Sequence, residues 1–366
     1  MIDLFVMIGV CFFLANQIEL RSKQYINVQV AIRKDWTVKI LYFILLLIVI
    51  LFSGLRTTYN DTETYMQGYR MLNVNSKNIF SIFEPYGGFT ILQTILKKYV
   101  SENPQILILV SSIIVNNIFL YFYSKYSKYF GLTIFSYLIL GPYVFSMGGI
   151  KQVLAMGLSL LAIENLLQKR YLKFVIWLLI AMTFHPYIIC LAIIPLFIEG
   201  VWNKKMGIVL VVAILIFMNL ETLLNFAGII GKEYSIEEMT SYTVNPMRVL
   251  VEIIPVIFLW VCRKRINKED DKLLLLGANM MIVNTFMISL GLFFNPVYFA
   301  RIGAYFSVLN AITIPTMLNV MYRGNRHRRA NIYIYYTFYF VYFLLDLTKL
   351  GNISITYDLF NHIKIF

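Results

Sequence analysis

Long apolar runs separated by short polar joints fill most of the chain, and they determine its secondary structure. Runs at residues 2–19, 37–54, 104–123, 130–146, 149–167, 171–184, 187–200, 206–222, 247–262, 273–294, 301–322 and 331–349 each predict an apolar helix. A bilayer's hydrocarbon core of about 30 Å needs roughly 20 such residues at 1.5 Å apiece. The expected fold class is therefore all-α, a polytopic integral membrane protein of about twelve segments with both termini outside. Residues 1–366 read as one transmembrane domain, with no soluble domain, internal repeat or low-complexity linker.

Two connections are long, and both fall on the outward side. Residues 55–103 hold a polar loop and then an amphipathic stretch (Phe89, Ile91, Leu92, Ile95, Leu96) suited to the membrane surface. Residues 223–246 carry Glu233, Glu237 and Glu238 and read as an acidic cover. The pair 171–184 and 187–200 is too short to cross in the ordinary way, because 14 helical residues span only about 21 Å. It reads either as a re-entrant hairpin or as two short spans beneath a dip in the outer surface. In both cases the tip at His185-Pro186 lies below the outer interface, where irregular backbone must be protein-buried or line a wet cavity.

Composition agrees with a bilayer as solvent: 59% of residues are hydrophobic. Aromatics make up 16%, many of them Tyr at span ends, as in interfacial belts. The formal net charge of +13 comes mostly from short basic loops such as Arg33-Lys34, Lys204-Lys205, Arg263-Lys264-Arg265 and Arg328-Arg329. These set a cytoplasmic side by the positive-inside rule and attract anionic headgroups, so nucleic acid is not an expected partner. Cys11, Cys190 and Cys262 sit in or beside apolar runs and read as small core residues. The run from Ile2 to Leu20 has no basic leader and no small-residue cleavage site, which predicts a retained first span.

The candidate chemistry lies with the basic residues left facing outward, among them Arg56, Arg70, Lys151 and Arg301. Arg56 opens a loop that also holds Asp61, Glu63 and Tyr65, and Glu84 follows in the turn-rich Phe83-Glu-Pro-Tyr-Gly-Gly88. Lys151 is expected in the first turn of a helix, where a cation opposes the macrodipole by about 0.3–1 kcal/mol. Arg301, after Asn295-Pro296, is expected to open its span in the same way. Either cation alone reads as snorkelling to headgroup phosphates. Together, with Arg56 nearby, they predict an outward anion site. His185 is the one histidine outside the basic loops and the tail, and Pro186 makes it either a hydrogen-bonded core residue or a site residue. Few charges lie at mid-depth, which argues against an ion-coupled transporter. No cluster has metal-ligand spacing, so neither metal nor cofactor is expected.

At these residues the chain resembles the EpsG family of Wzy-type polysaccharide polymerases. The resemblance rests on Gly54-Leu-Arg56 with Asp61 and Tyr65, Glu84-Pro85, Lys151-Gln-Val-Leu-Ala155, Ala181-Met-Thr-Phe-His185, and Arg301 with Tyr305. Two positions depart from the family pattern: Lys151 stands where Arg is usual, and Asn60 where a Gly commonly precedes the aspartate. The resemblance implies a GT-C-like glycosyltransferase in the bacterial cytoplasmic membrane, with its site facing outward. Such an enzyme joins oligosaccharide repeat units carried on undecaprenyl diphosphate, moving the growing chain to a sugar hydroxyl of the incoming unit. On that reading Arg56, Lys151 and Arg301 bind diphosphate, and Asp61, Glu84 and His185, in that order, are candidate bases. Tyr65, Arg70, Tyr86, Gln152 and Tyr305 would contact substrate. Expected partners are the lipid-linked oligosaccharide, the bilayer, a chain-length regulator and a flippase. The rival readings are a flippase or exporter of lipid-linked sugars, and an O-antigen ligase.

Overall fold

The computed structural model describes residues 2–76, 79–140, 142–218, 243–293 and 295–349, and every regular element among them is helical. The expected acidic cover with Glu233, Glu237 and Glu238 lies outside the described residues. The first helices are α1 (Ile2–Ser22), α2 (Val28–Lys34) and α3 (Trp36–Gly54). Short polar residues start them: the Asn27 side chain accepts from the Val30 N–H, and Asp35 accepts from Thr37 and Val38. Then follow α4 (Thr62–Met71), α5 (Gly87–Tyr99), α6 (Gln105–Tyr126), α7 (Phe130–Ile139), α8 (Pro142–Gly148), α9 (Ile150–Leu167) and α10 (Tyr171–Phe184). A 3₁₀-helix, Pro186–Phe197, returns from the end of α10. The remainder is α11 (Lys204–Met218), α12 (Pro246–Lys268), α13 (Lys272–Leu290), α14 (Pro296–Phe306), α15 (Asn310–Met321) and α16 (Arg328–Lys349).

Among the described residues six helices are long and apolar enough to cross a membrane, with α7 and α8 counted as one, and a seventh is added if α14 and α15 form one broken span. About twelve were expected. Two of the remainder miss on composition: α12 holds Arg248, Glu252 and the run Arg263-Lys264-Arg265, and α16 is rich in tyrosine. The expected continuous span 301–322 is corrected to two helices bent by 60°. At the break the Ser307 hydroxyl bonds back to the Ala304 carbonyl at 2.8 Å, in competition with the helical ladder. Helix α13 is the central element, with 78% of its apolar window buried, and it packs on α12, α14 and α15.

Packing between helices is reinforced by polar contacts where apolar helices gain little from one another in lipid. Ser53 and Ser112 share a hydrogen bond of 2.7 Å between α3 and α6, and Tyr137 of α7 donates to Asn116 of α6 at 3.0 Å. Toward the basic end, Lys125 of α6 pairs with Glu164 of α9, and Arg323 grips Glu269 through two bonds of 2.7 and 2.9 Å. All three cysteines are free.

At the opposite end the expected polar loop contains a helix the sequence reading lacked, α4. It is held by Tyr69, whose hydroxyl donates to the Ser101 carbonyl at 2.7 Å. Lys97 of α5 adds three bonds, to the carbonyls of Tyr69, Arg70 and Leu72 at 3.0, 2.7 and 2.9 Å. A cation there satisfies carbonyls that the end of α4 would leave unpaired. Helix α5 is the expected amphipathic stretch and buries Phe89, Gln93 and Leu96. It rests on the tip of α10: a Cβ at Gly88 would lie 2.2 Å from Thr183 Oγ1, so only glycine admits this approach.

Candidate active site

Five helices bring side chains together above the short pair. Lys151, in the first turn of α9 as expected, extends its Nζ over the rings of Tyr86, Phe89 and Tyr65 at 4.6, 5.2 and 6.0 Å. Such contacts are worth about 0.5–2 kcal/mol apiece depending on desolvation, so the ammonium is held in place by π faces. Tyr65 meets Phe89 edge-on at 5.8 Å, which locks the face of α4 to that of α5. A hydrogen bond from the Lys151 backbone reaches the Tyr65 phenol. Burial pushes that phenol up to about 12, and the neighbouring Asp61 carboxylate acts the same way, against the Lys151 bond and the Arg301 charge.

Arg301 is exposed, and its charge also acts on Tyr86. It lies in the second turn of α14, since that helix starts at Pro296, and not at the helix opening as expected. The macrodipole argument therefore holds for Lys151 and fails for Arg301. What ties the two cations together is Gln152, whose side-chain amide donates to the Arg301 carbonyl at 2.6 Å. Gln152 itself is buried, so its amide serves this tie instead of facing substrate.

His185 ends α10 with φ −151° and ψ 110°, the extended backbone that a following proline imposes. Its ring is buried among Tyr86, Tyr187 and Tyr305, with centroids 5.4, 5.6 and 5.8 Å away. Its Nδ1 lies 2.5 Å from the Tyr305 hydroxyl. Tyr305 is fully buried and presents no ring face for a sugar. Tyr86 has left-handed backbone, φ +61°, at the start of α5, and so faces both Lys151 and His185.

The carboxylates border this cluster. Asp61 is exposed at the start of α4, one turn before Tyr65, and Glu84 is exposed two residues before Tyr86. Asn60 adopts φ +46°, the conformation that a glycine would supply most easily, and its amide packs on Gly148. The chain therefore makes this left-handed turn with asparagine, one of the few non-glycine residues that visit it.

Two expected residues lie elsewhere. Arg70 points away from the cluster and pairs with Glu63 at 2.9 Å on the exposed side of α4. Arg56 is buried beneath the loop, where it donates to the Ser53 carbonyl and, at 3.2 Å, to Thr62 Oγ1. It braces the joint between α3 and α4. The sequence reading missed Phe89, Tyr187 and the Gly88–Thr183 approach; the adjacent glycines at the entry to an amphipathic helix were the one available signal.

The arrangement offers one cation held by π faces and a second, exposed one, with flanking carboxylates and an enclosed imidazole, a set suited to an anionic leaving group beside a proton acceptor. No group of three or more His, Cys, Asp or Glu residues placed to hold a metal occurs among the described residues. The sequence model of the EpsG family matches residues 39–360. No curated protein and no solved structure matches the chain.

Proposed function

The chain belongs to the EpsG family of Wzy-type polysaccharide polymerases, and from that premise we propose that it polymerises oligosaccharide repeat units carried on a polyprenyl diphosphate, undecaprenyl diphosphate in bacteria. An acceptor sugar hydroxyl of the incoming unit attacks the anomeric carbon of the growing chain. The bond to the lipid diphosphate breaks, the diphosphate leaves with the electron pair, and the hydroxyl proton passes to a carboxylate. Lys151 and Arg301 hold the diphosphate and stabilise the charge it gains. Asp61 is the first candidate base and Glu84 the second. Arg56 supports the loop from below, and Tyr65 and Tyr86 offer ring surface to the sugars.

The observation that carries this reading is the convergence of Lys151 and Arg301, linked by the Gln152 bond, above His185. The basic loops gather at the opposite end of the bundle, which by the positive-inside rule turns the site outward, away from the cytoplasm. In this reading α10, the 3₁₀-helix, α11, α12 and α16 join the longer spans to make about twelve segments in a GT-C-like architecture. The protein then works in the bacterial cytoplasmic membrane beside a flippase and a chain-length regulator.

Purified protein incubated with a single lipid-linked repeat unit tests the reaction. A ladder of products on a gel is the expected outcome. Unchanged substrate would identify a transporter, and a single shift that needs an added acceptor would identify a ligase. Loss of the ladder in both Lys151→Ala and Arg301→Ala, at normal protein level, would support the diphosphate site; normal polymer from both would refute it.

A further inference from the structure

At the basic end of the bundle, away from the candidate active site, two asparagines fix the joint between the 3₁₀-helix and α11. Asn279 of α13 donates to the carbonyls of Phe197 and Gly200 at 2.8 and 3.0 Å. Asn267 of α12 accepts the Val201 N–H at 2.7 Å and donates to the Val201 carbonyl at 3.4 Å. The next residue, Trp202, adopts φ +59°, a left-handed backbone that bulky L residues rarely take. Its ring meets that of Trp260, on α12, edge-on at 5.3 Å.

Trp260 is half exposed, and the Arg263 guanidinium lies 3.9 Å from the centre of its ring. A 2.6 Å bond from Arg263 Nη1 to the Trp260 carbonyl closes the stack. Stacking uses the flat face of a guanidinium and leaves its N–H edge to bind in the plane. Among the described residues no ion pair engages Arg263 or the exposed Lys264 beside it. Ile257, Trp260, Val261 and Lys264 follow at i, i+3, i+4 and i+7, one face of α12, and all four are exposed. That face is apolar along its length and cationic at its end.

We propose that this face binds an anionic phospholipid from the leaflet at the basic end, with its fatty chains along Ile257 and Trp260 and its phosphate on Arg263, beside Lys264. Arginine matches phosphate oxygens through paired N–H bonds, and the lysine adds a point charge. An acidic soluble protein would complement the cations and leave the apolar turns next to them uncovered. Diffuse attraction of headgroups to basic loops would need neither the Arg263 stack nor the pinned Trp202. The proposal is independent of the reaction that the protein performs.

Native mass spectrometry of the purified full chain in detergent, titrated with phosphatidylglycerol or phosphatidylcholine, tests it. The wild type should retain phosphatidylglycerol with at least about tenfold preference. Removing Arg263 and Lys264 together, as the double Gln variant, should weaken that retention about 10–30-fold. Arg326→Gln with Arg329→Gln removes the same charge from exposed positions around the start of α16 and should stay within about twofold of the wild type. Trp260→Leu keeps net charge and apolar surface but removes the stack, and should weaken retention several-fold. If the Arg263/Lys264 variant does not fold, Lys264→Gln alone, at an exposed position, should still cost about fivefold. Equal losses in the two double variants would overturn the proposal in favour of diffuse attraction. No preference for the anionic lipid in the wild type would also overturn it, as would wild-type retention in Trp260→Leu.

Discussion

Gln152 and Arg301 are joined by a 2.6 Å hydrogen bond from the buried amide to the α14 backbone, across 149 residues of sequence. Because the neighbour of Gln152 is Lys151, this bond fixes the start of α9 against the backbone of α14 at the two residues that carry the cations. On the proposed reading, this backbone tie is what lets the two cations act jointly on one diphosphate.

Gln152→Ala should therefore impair polymer formation through the loss of this backbone tie. The lost bond is worth about 1 kcal/mol, and polymer yield should drop several-fold with protein level unchanged. Gel ladders from membranes matched for protein amount check this. Full yield would show that the tie is dispensable.

At Lys151 charge and packing can be separated. Lys151→Met preserves the contact with Tyr86, Phe89 and Tyr65 and removes the ammonium; it should lower the rate at least about 100-fold, a loss of roughly 2.7 kcal/mol of transition-state stabilisation. Lys151→Arg retains charge and stacks on the same rings, and should stay within about tenfold of the parent. Initial rates on a single lipid-linked unit provide the comparison.

Gly88 tests whether α5 must touch the tip of α10. The added methyl of Gly88→Ala meets Thr183 Oγ1 at 2.2 Å and its Cβ at 2.9 Å. The variant should lose about 1–3 kcal/mol of stability, and Tyr86 should move off His185. Adding Thr183→Ala removes the closer contact and should restore part of both stability and rate. Thermal unfolding in detergent and the ladder assay read the two effects.

The Arg323–Glu269 pair gives a pH prediction. The hydrogen bond from Arg323 holds the Glu269 carboxyl below its usual range. A carboxyl depressed in the folded state contributes stability above its unfolded pKa and loses it as pH falls through the folded one. The difference in unfolding midpoint between wild type and Glu269→Gln should be small at pH 7, as for exposed pairs, and should fade as pH drops below the usual carboxylate range and through the depressed Glu269 value.

Much of the helical frame was legible because bilayer thickness constrains run length. The boundaries of α10 follow directly from Lys169-Arg170 on one side and His185-Pro186 on the other. The return arm of that pair is wound as 3₁₀, which at about 2.0 Å per residue reaches further than an α-helix of equal length. Apolar run length cannot report winding. Helix α4 was hidden because its ten residues are largely polar, and tertiary bonds from Lys97 and Tyr69 hold it in place. The bend between α14 and α15 contains neither proline nor glycine and left no mark in the apolar pattern.

Within the site, Lys151 and Arg301 stood out because each violated a topological preference. Arg56 violated the same preference for a different reason: the loop turns over it and supplies its partners locally. Tyr305 was expected to contact substrate, and the fold instead buries it completely. Only the fold reveals that its hydroxyl meets an imidazole.

The site draws on α4, α5, α9, α10 and α14, and the last of these follows the first by more than two hundred residues. During synthesis the aromatic box and the lysine are in place early, yet Arg301 and the tyrosine that meets the imidazole arrive only when α14 has left the ribosome. On the proposed reading, a nascent chain in the translocon thus lacks part of its isoprenoid pyrophosphate site until α14 has been inserted.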